Sequence, residues 1–152
     1  MRTAVLFLTL VCLLAGCGGG NENVANAQDA LREKAKPAEE NLTRVRDAVV
    51  KYHKEKGEVP RSVTHLEEVG LKEASLANED YSELGYAFYN IAFDDQGKLV
   101  QGWLIATPMA DRDALQVRMN AVTGEFDYVG KGEDFGTAPS DNGPINKPAS
   151  NG

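Results

Sequence analysis

The 152-residue sequence is poor in cysteine and in basic residues: it has two cysteines, and 16 lysines and arginines against 23 aspartates and glutamates, for a formal net charge of −7. The shortage of basic residues argues against nucleic acid as a partner, because binding to phosphates requires a basic face. Two cysteines are too few for a disulfide framework or a cysteine-rich zinc site. The length is sufficient for one domain with its own hydrophobic core.

Signatures of common catalytic sites are missing as well. The sequence has no Gly-x-Ser-x-Gly elbow, no phosphate loop and no HExxH motif. Only His53 and His65 are candidates for a base at neutral pH or a soft metal ligand, and we expect both to be surface or half-buried side chains. The sequence therefore predicts no catalytic residue, no metal site and no cofactor, and it identifies no small-molecule substrate.

Long hydrophobic runs are also lacking, apart from one at the start of the chain. It extends from Ala4 to Leu14 after the single charge of Arg2. A bilayer span needs roughly 20 apolar residues, so this run is too short to be one. A short basic start followed by such a run is typical of a secretory signal peptide, here residues 1–16.

The signal ends in a four-residue motif, Leu14-Ala15-Gly16-Cys17. It resembles the lipobox of bacterial lipoproteins, where a hydrophobic residue and small residues precede a cysteine. The resemblance implies cleavage between Gly16 and Cys17 and attachment of diacylglycerol to the Cys17 thiol, so the membrane is an expected partner. Each acyl methylene buried in the bilayer contributes about 0.8 kcal/mol, so two or three chains anchor stably. Gly18 resembles the residue found in lipoproteins released to an outer membrane, facing the periplasm, if the source has one.

A long helix is expected after a flexible polar tether at residues 17–24. Its apolar residues recur three and four positions apart and so share one face: Leu31, Ala35, Ala38, Leu42, Val45, Val49 and Tyr52. Pro37 lies inside this pattern, so we expect either a kink there or a new helix from about Pro37 to Lys56 that ends at Gly57. Thr64 and Glu67 have capping-box spacing and predict a short second helix.

The second half of the chain has the composition of β-strands. Segments rich in aromatic and branched residues, or with alternating polarity, predict four strands: Tyr86–Phe93, Leu99–Thr107, Leu115–Asn120 and Glu125–Val129. After them, residues 132–152 consist mainly of Gly, Pro, Ser, Asn and Asp and predict a disordered tail. We therefore expect one α+β domain at residues 25–131, in which a long N-terminal helix packs on a four-stranded antiparallel β-sheet.

This layout resembles the globular domain of type IV pilins and pseudopilins over residues 38–130. The segments that carry the resemblance lie at the helix end, in the loop and short helix after it, and in the central and last strands: Ala48–Tyr52, Gly57, Val59-Pro60, Leu66, Gly70-Leu71, Trp103–Pro108 and Asn120–Phe126. Two departures are clear: the apolar segment is short and precedes a lipobox, and the cysteine pair of many pilins is missing. The resemblance implies attachment to a secretion or pilus machine more than incorporation into a filament.

The resulting hypothesis is a lipid-anchored envelope protein that acts through contacts with an envelope protein partner, as an accessory to a type II secretion or type IV pilus apparatus. One alternative is a structural coiled-coil lipoprotein that oligomerises through the stripe from Leu31 to Tyr52. Another is a small ligand-binding or inhibitor module with an aromatic patch around Trp103. A third feature, the basic end of the long helix against an acidic sheet half, would permit head-to-tail association.

Deletion of residues 136–152 should leave the melting temperature nearly unchanged. These residues contain too little apolar surface to offset the entropy of ordering, which costs roughly 1–2 kcal/mol per residue for the backbone alone. Thermal unfolding followed by circular dichroism, with the full chain as the control, checks this. A large drop in melting temperature would show that the tail is docked.

Overall fold

The computed structural model describes residues 19–109, 111 and 113–130, with side chains from residue 26 onward. The predicted signal peptide, Cys17 and the predicted tail at residues 132–152 lie outside the described residues. The described elements are the helix α1 (Gly19–Lys56), three 3₁₀ segments (Val63–Val69, Glu73–Leu76 and Glu83–Gly85), and the strands β1 (Tyr86–Phe93), β2 (Leu99–Ala106), β3 (Gln116–Asn120) and β4 (Phe126–Val129).

The four strands form one antiparallel sheet in the order β1-β2-β3-β4, so each strand pairs with its neighbour in the chain. The helix α1 packs across the two central strands, β2 and β3, and the 3₁₀ segments join α1 to β1 along one side. This arrangement confirms the predicted α+β fold of a long helix on a four-stranded antiparallel sheet. The strand bounds agree with the predicted ones to within one residue at each end.

The apolar stripe of α1 forms its contact with the sheet. Its residues from Ala35 onward are buried, whereas Leu31 is only half-buried. The stripe meets Leu104 of β2 and Val117 of β3 in one hydrophobic cluster, to which the 3₁₀ segments add Leu66 and others. Because isolated helices are marginal in water, this burial provides most of the stability of α1.

Pro37 lies inside α1, so the helix does not begin anew there, which was one of the two expected outcomes. The helix is continuous from Gly19 to Lys56 with Pro37 inside it. Pro37 and Glu33, whose carbonyl loses its partner because proline has no N–H, are both exposed, so water can satisfy that carbonyl. Ala35 and Ala38, on either side of the proline, are fully buried and keep the segment against the domain.

The start of α1 differs from the expected flexible tether at residues 17–24. The backbone is helical from Gly19 onward, only two residues after Cys17. The chain that would carry the lipid therefore enters a helix almost at once.

The predicted capping box at Thr64 and Glu67 is wrong. The segment Val63–Val69 is a 3₁₀ helix, and its N-cap side chain makes no capping hydrogen bond. The Thr64 hydroxyl instead donates to the Glu73 carboxylate at 3.1 Å, and the Glu67 carboxylate accepts from the Glu73 N–H at 3.2 Å. These bonds join consecutive 3₁₀ segments. The predicted stop at Gly70 is confirmed, since Gly70 has a φ of 98° and its N–H bonds back to the segment.

The strand β1 carries a β-bulge that the sequence pattern did not predict. Between the pairs Tyr89–Trp103 and Ala92–Gln101, two residues of β1 stand opposite Gly102 alone. Asn90, one of the two, has a φ of 53°, and a Cβ on Gly102 would overlap the side chain of the other, Ile91. The extra residue shifts the alternation of the strand. As a result, apolar residues on both sides of the bulge reach the core under α1: Tyr86, Phe88, Ile91 and Phe93.

Replacement of Leu42 by Asp should unfold the domain. Leu42 is fully buried between α1 and the sheet, and an unpaired charge there costs several kcal/mol. Thr43→Asp, on the exposed side of the same turn, is the matched control and should lower stability by less than about 1 kcal/mol. Circular dichroism melts and size-exclusion chromatography measure both variants. If Leu42→Asp instead dissociates an oligomer and leaves the sheet folded, the coiled-coil alternative is correct.

Candidate functional site

The predicted lipidation residue, Cys17, and the cleavage position at Gly16 lie outside the described residues. What the structure does describe is the segment that connects them to the domain. We call residues Gly19–Leu31 of α1 the stalk. Its residues 26–30 are all exposed, and just after the stalk the Arg32 guanidinium lies 5.5 Å from the centre of the Tyr128 ring.

The stalk sets the distance between the start of α1 and the folded domain. At 1.5 Å per residue, the 12 steps from Gly19 to Leu31 span about 18 Å. An α-helix is stiff over this length, whereas the glycine-rich tether expected from the sequence would have allowed many orientations. None of the helices in the described part of the chain has the length and apolar character needed to cross a membrane.

The half of α1 beyond the stalk is tied to the domain by polar bonds as well as by its stripe. The Asn41 side-chain amide, which is buried, donates to the Leu76 carbonyl at 2.9 Å and to the Tyr86 hydroxyl at 3.0 Å. The Asn41 side-chain oxygen accepts from Arg44 at 2.8 Å, and Arg44 also donates to the Ser75 hydroxyl at 2.7 Å. These bonds fix the second 3₁₀ segment against the helix.

Basic residues near the end of α1 are also used inside the domain. Arg46 donates to the Ala121 carbonyl at 2.6 Å, so it holds the turn between β3 and β4. Lys51 donates to the Val69 carbonyl at 2.9 Å, and Lys56 forms an ion pair with Glu68 at 2.8 Å. Backbone carbonyls and a carboxylate of the same chain thus engage most of this basic group.

Sequence reasoning missed the structural roles of Asn41, Arg44 and Arg46, and it treated the two arginines only as part of the basic end of the long helix. A signal for Asn41 was available, because it lies three residues after Ala38 and four before Val45 and therefore on the buried stripe. A polar side chain on an apolar stripe indicates a buried hydrogen-bonding role. The carbonyl partners of the two arginines lie 31 or more positions away and have no local sequence signal.

The two histidines are both half-buried, as expected, and both pack against aromatic rings. His53 stacks on Phe93 with ring centres 3.8 Å apart, and His65 lies parallel to Tyr52 at 6.3 Å. Within the described residues, no group of three or more histidine, cysteine or acidic side chains is arranged to hold a metal ion. Through these ring contacts, the two histidines continue the packed core toward the C-terminal end of α1.

Two tyrosine hydroxyls act as hydrogen-bond donors. Tyr81, which is fully buried, donates to the Leu115 carbonyl at 2.6 Å, and burial raises its pKa. Tyr128 donates to the Glu39 carboxylate at 2.7 Å, and loss of hydration together with that bond raises the pKa of Tyr128 to about 12. Both hydroxyls therefore stay protonated at neutral pH. The Tyr128 bond joins β4 to α1, and the Tyr81 bond joins the connection before β1 to the residue that precedes β3. A hydroxyl that stays protonated is unsuited to accept a proton from a substrate.

In the tight turn between β1 and β2, the side chain of Asp94 accepts hydrogen bonds from the backbone. The Asp94 carboxylate accepts from the N–H groups of Gln96 at 3.0 Å and of Lys98 at 2.8 Å. An aspartate carboxylate that accepts from N–H groups a few residues later is typical of a tight turn. The same carboxylate oxygen could not ligate a cation in this conformation without giving up those bonds.

Comparison of the chain with protein-family models, with curated proteins and with solved structures gives no match. The likeness to the lipoprotein signal and to the pilin domain therefore remains a prediction from the sequence. The described residues define a small α+β domain on a helical stalk.

Replacement of Asn41 by Leu should destabilise the domain by about 1–3 kcal/mol, because it leaves the buried Leu76 carbonyl without its donor. The matched control is Asn26→Leu on the exposed stalk, which should change stability by no more than about 0.5 kcal/mol. Urea unfolding followed by circular dichroism compares the two. Equal midpoints for both variants would contradict the role assigned to Asn41.

Proposed function

We propose that this protein is a lipid-anchored protein of the bacterial cell envelope that acts through contacts with other envelope proteins and not through catalysis. The observation that carries the proposal is the Leu14-Ala15-Gly16-Cys17 motif directly after a short apolar run. Acylation of the Cys17 thiol would fix the chain to one leaflet, an outer membrane facing the periplasm if the source has one.

The helical stalk supports this proposal. With α1 beginning at Gly19, a lipid at Cys17 would be joined to the domain by a stiff segment about 18 Å long instead of a flexible one. A domain held at a set distance from the bilayer is suited to contact a partner whose binding surface lies at the same distance, as in a membrane-bound assembly. An enzyme that acts on a diffusing substrate has no such requirement.

The partner class comes from the resemblance to the pilin domain. A long helix packed on a four-stranded antiparallel sheet is compatible with that resemblance, and the expected loss of the apolar segment with the signal peptide argues against a place inside a filament. We therefore propose an accessory role at a type II secretion or type IV pilus apparatus. The partner would be a periplasmic part of that machine.

The two alternative functions are less compatible with the packing. A coiled coil would need the stripe of α1, yet Leu42 and Val45 are fully buried against the sheet of their own chain. A ligand-binding patch would need an accessible Trp103, yet this residue is 1% exposed. Neither surface is open to a partner or a ligand in the folded chain.

Replacement of Cys17 by Ala should abolish incorporation of labelled palmitate and leave the precursor uncut, because the motif Leu14-Ala15-Gly16-Cys17 places the Cys17 thiol at the acylation position. Cys12→Ala is the matched control: it removes the other cysteine, which lies within the segment to be cleaved, and should keep normal labelling and processing. Metabolic labelling and immunoblots of membrane fractions measure both. Normal labelling of Cys17→Ala would overturn the proposed anchor.

The partner is tested separately. Chemical crosslinking in cells, followed by purification in mild detergent, should recover components of a secretion or pilus machine with the acylated protein. Cys17→Ala should lose them, because it lacks the anchor. Recovery of the same components with both forms would show that anchoring does not serve this contact, and recovery of none would overturn the accessory role.

A further inference from the structure

The strand β1 lies at one edge of the sheet. The order β1-β2-β3-β4 leaves one side of β1 without a neighbouring strand, and Tyr89 and Asn90 in its middle are exposed. Proteins usually protect such edges with charged residues or proline, and β1 contains neither between Tyr86 and Phe93. The bulge at Asn90 limits regular pairing to the first half of the strand. This half is therefore a template for one more strand.

The hydrogen-bond ladder with β2 decides which backbone groups of β1 face outward. The Thr107 N–H donates to the Gly85 carbonyl at 2.9 Å, and the register continues from there without a shift to the pair Tyr89–Trp103. Bonded and non-bonded residues alternate along an antiparallel ladder, so Ala87 and Tyr89 bond to β2. The backbone groups between these bonded residues point away from the sheet.

We call these outward groups the edge row: the C=O of Tyr86, the N–H and C=O of Phe88, and the N–H of Asn90. The Asn90 N–H belongs to it because a planar trans peptide directs this N–H opposite to the Tyr89 C=O, which faces β2. The Tyr86 N–H is not part of the row, since it donates to the Glu83 carbonyl. Among the described residues, no backbone group bonds to the edge row.

We propose that two copies of this chain pair along β1, antiparallel, about a two-fold axis at Phe88. In this register the Phe88 N–H of each copy donates to the Phe88 carbonyl of the other, and the Asn90 N–H of each donates to the Tyr86 carbonyl of the other. The Tyr86 N–H, which is used by Glu83, stands opposite the Asn90 carbonyl at the bulge, where regular pairing ends. The edge row is thus complementary to itself, as an isologous interface requires.

The side chains fit the same register. Tyr86 and Phe88 pack toward the core under α1, so strand alternation places Ala87 and Tyr89 on the opposite face of the sheet. Tyr89, which is 39% exposed, lies directly opposite Ala87 of the second copy, and the small alanine leaves room for the ring. Because β1 has no charged residue, the pairing sets no like charges opposite each other.

The proposal identifies the partner of the β1 edge as a second copy of the chain. It rests neither on the lipid anchor nor on an envelope partner, so those proposals can fail without affecting it. An edge that accepts a strand from a different protein would leave the purified chain monomeric.

Sedimentation equilibrium of the full chain in mild detergent tests the pairing. Every form carries Cys12→Ala and Cys17→Ala, so that neither lipid nor a disulfide joins the copies. The parent should show a reversible dimer whose fraction rises with concentration. Tyr89→Lys places two lysines on the diagonal across the axis, about 7–8 Å apart, and should lower the association constant at least about tenfold.

Val100→Lys is the matched control. Val100 is 41% exposed, close to the value for Tyr89, but it lies in β2, one strand away from the edge. This variant should associate as the parent does, and circular dichroism melts show whether both variants are folded. A parent that stays monomeric at every concentration, or equal association of the two lysine variants, would overturn the proposal.

Disulfide formation tests the register without depending on the strength of association. In the same background, Ala87→Cys and Tyr89→Cys are prepared as separate proteins. Their mixture should form a disulfide-linked dimer on oxidation, because the Cα atoms of this non-bonded pair lie about 4.5 Å apart. Each protein alone should form far less, since its own cysteines lie about 7–8 Å apart on the diagonal. Equal yields from the mixture and from either protein alone, or no dimer in the mixture, would contradict pairing about Phe88.

Discussion

The packing of the apolar stripe of α1, from Ala35 to Tyr52, onto β2 and β3 is the contact on which the rest of the structure depends. A helix gains little stability in water by itself, and a sheet with one apolar face cannot remain exposed. Each surface buries the other, and the 3₁₀ segments close the side of the resulting cluster. The bulge in β1 belongs to the same contact, because it turns the apolar residues on both sides of Asn90 toward α1.

Polar bonds then fix the register of helix and sheet, which apolar packing alone would leave adjustable. Asn41, Arg46 and the Glu39–Tyr128 pair each join α1 to a different part of the domain. Their partners are mainly backbone carbonyls, whose positions are set once the strands form. These bonds prevent α1 from sliding along its own axis relative to the sheet. Fixing α1 along its axis matters because the stalk would then transmit the position of the proposed anchor at Cys17 to the domain.

The elements and their order were predictable, because composition and period are local signals. Four strands rich in aromatic and branched residues, and a stripe with spacings of three and four, agree with the structure almost residue for residue. Three features were not predictable because they depend on surroundings. Pro37 is tolerated inside α1 because Pro37 and Glu33 are exposed to water, and Thr64 and Glu67 bond to Glu73 instead of capping a helix. The β-bulge at Asn90 in β1 has no local sequence signal. The candidate anchor, Cys17, rests on its motif alone.

Native-state hydrogen exchange on the full chain tests most directly the claim that helix and sheet form one unit. The account predicts that amides of α1 from Ala35 to Tyr52 and amides of β2 and β3 exchange with the same high free energy of opening, equal to that of global unfolding. Amides of the stalk should exchange faster, because its residues 26–30 are exposed. If the amides of α1 opened independently of those in β2 and β3, the helix would not depend on the sheet, and the account would be contradicted.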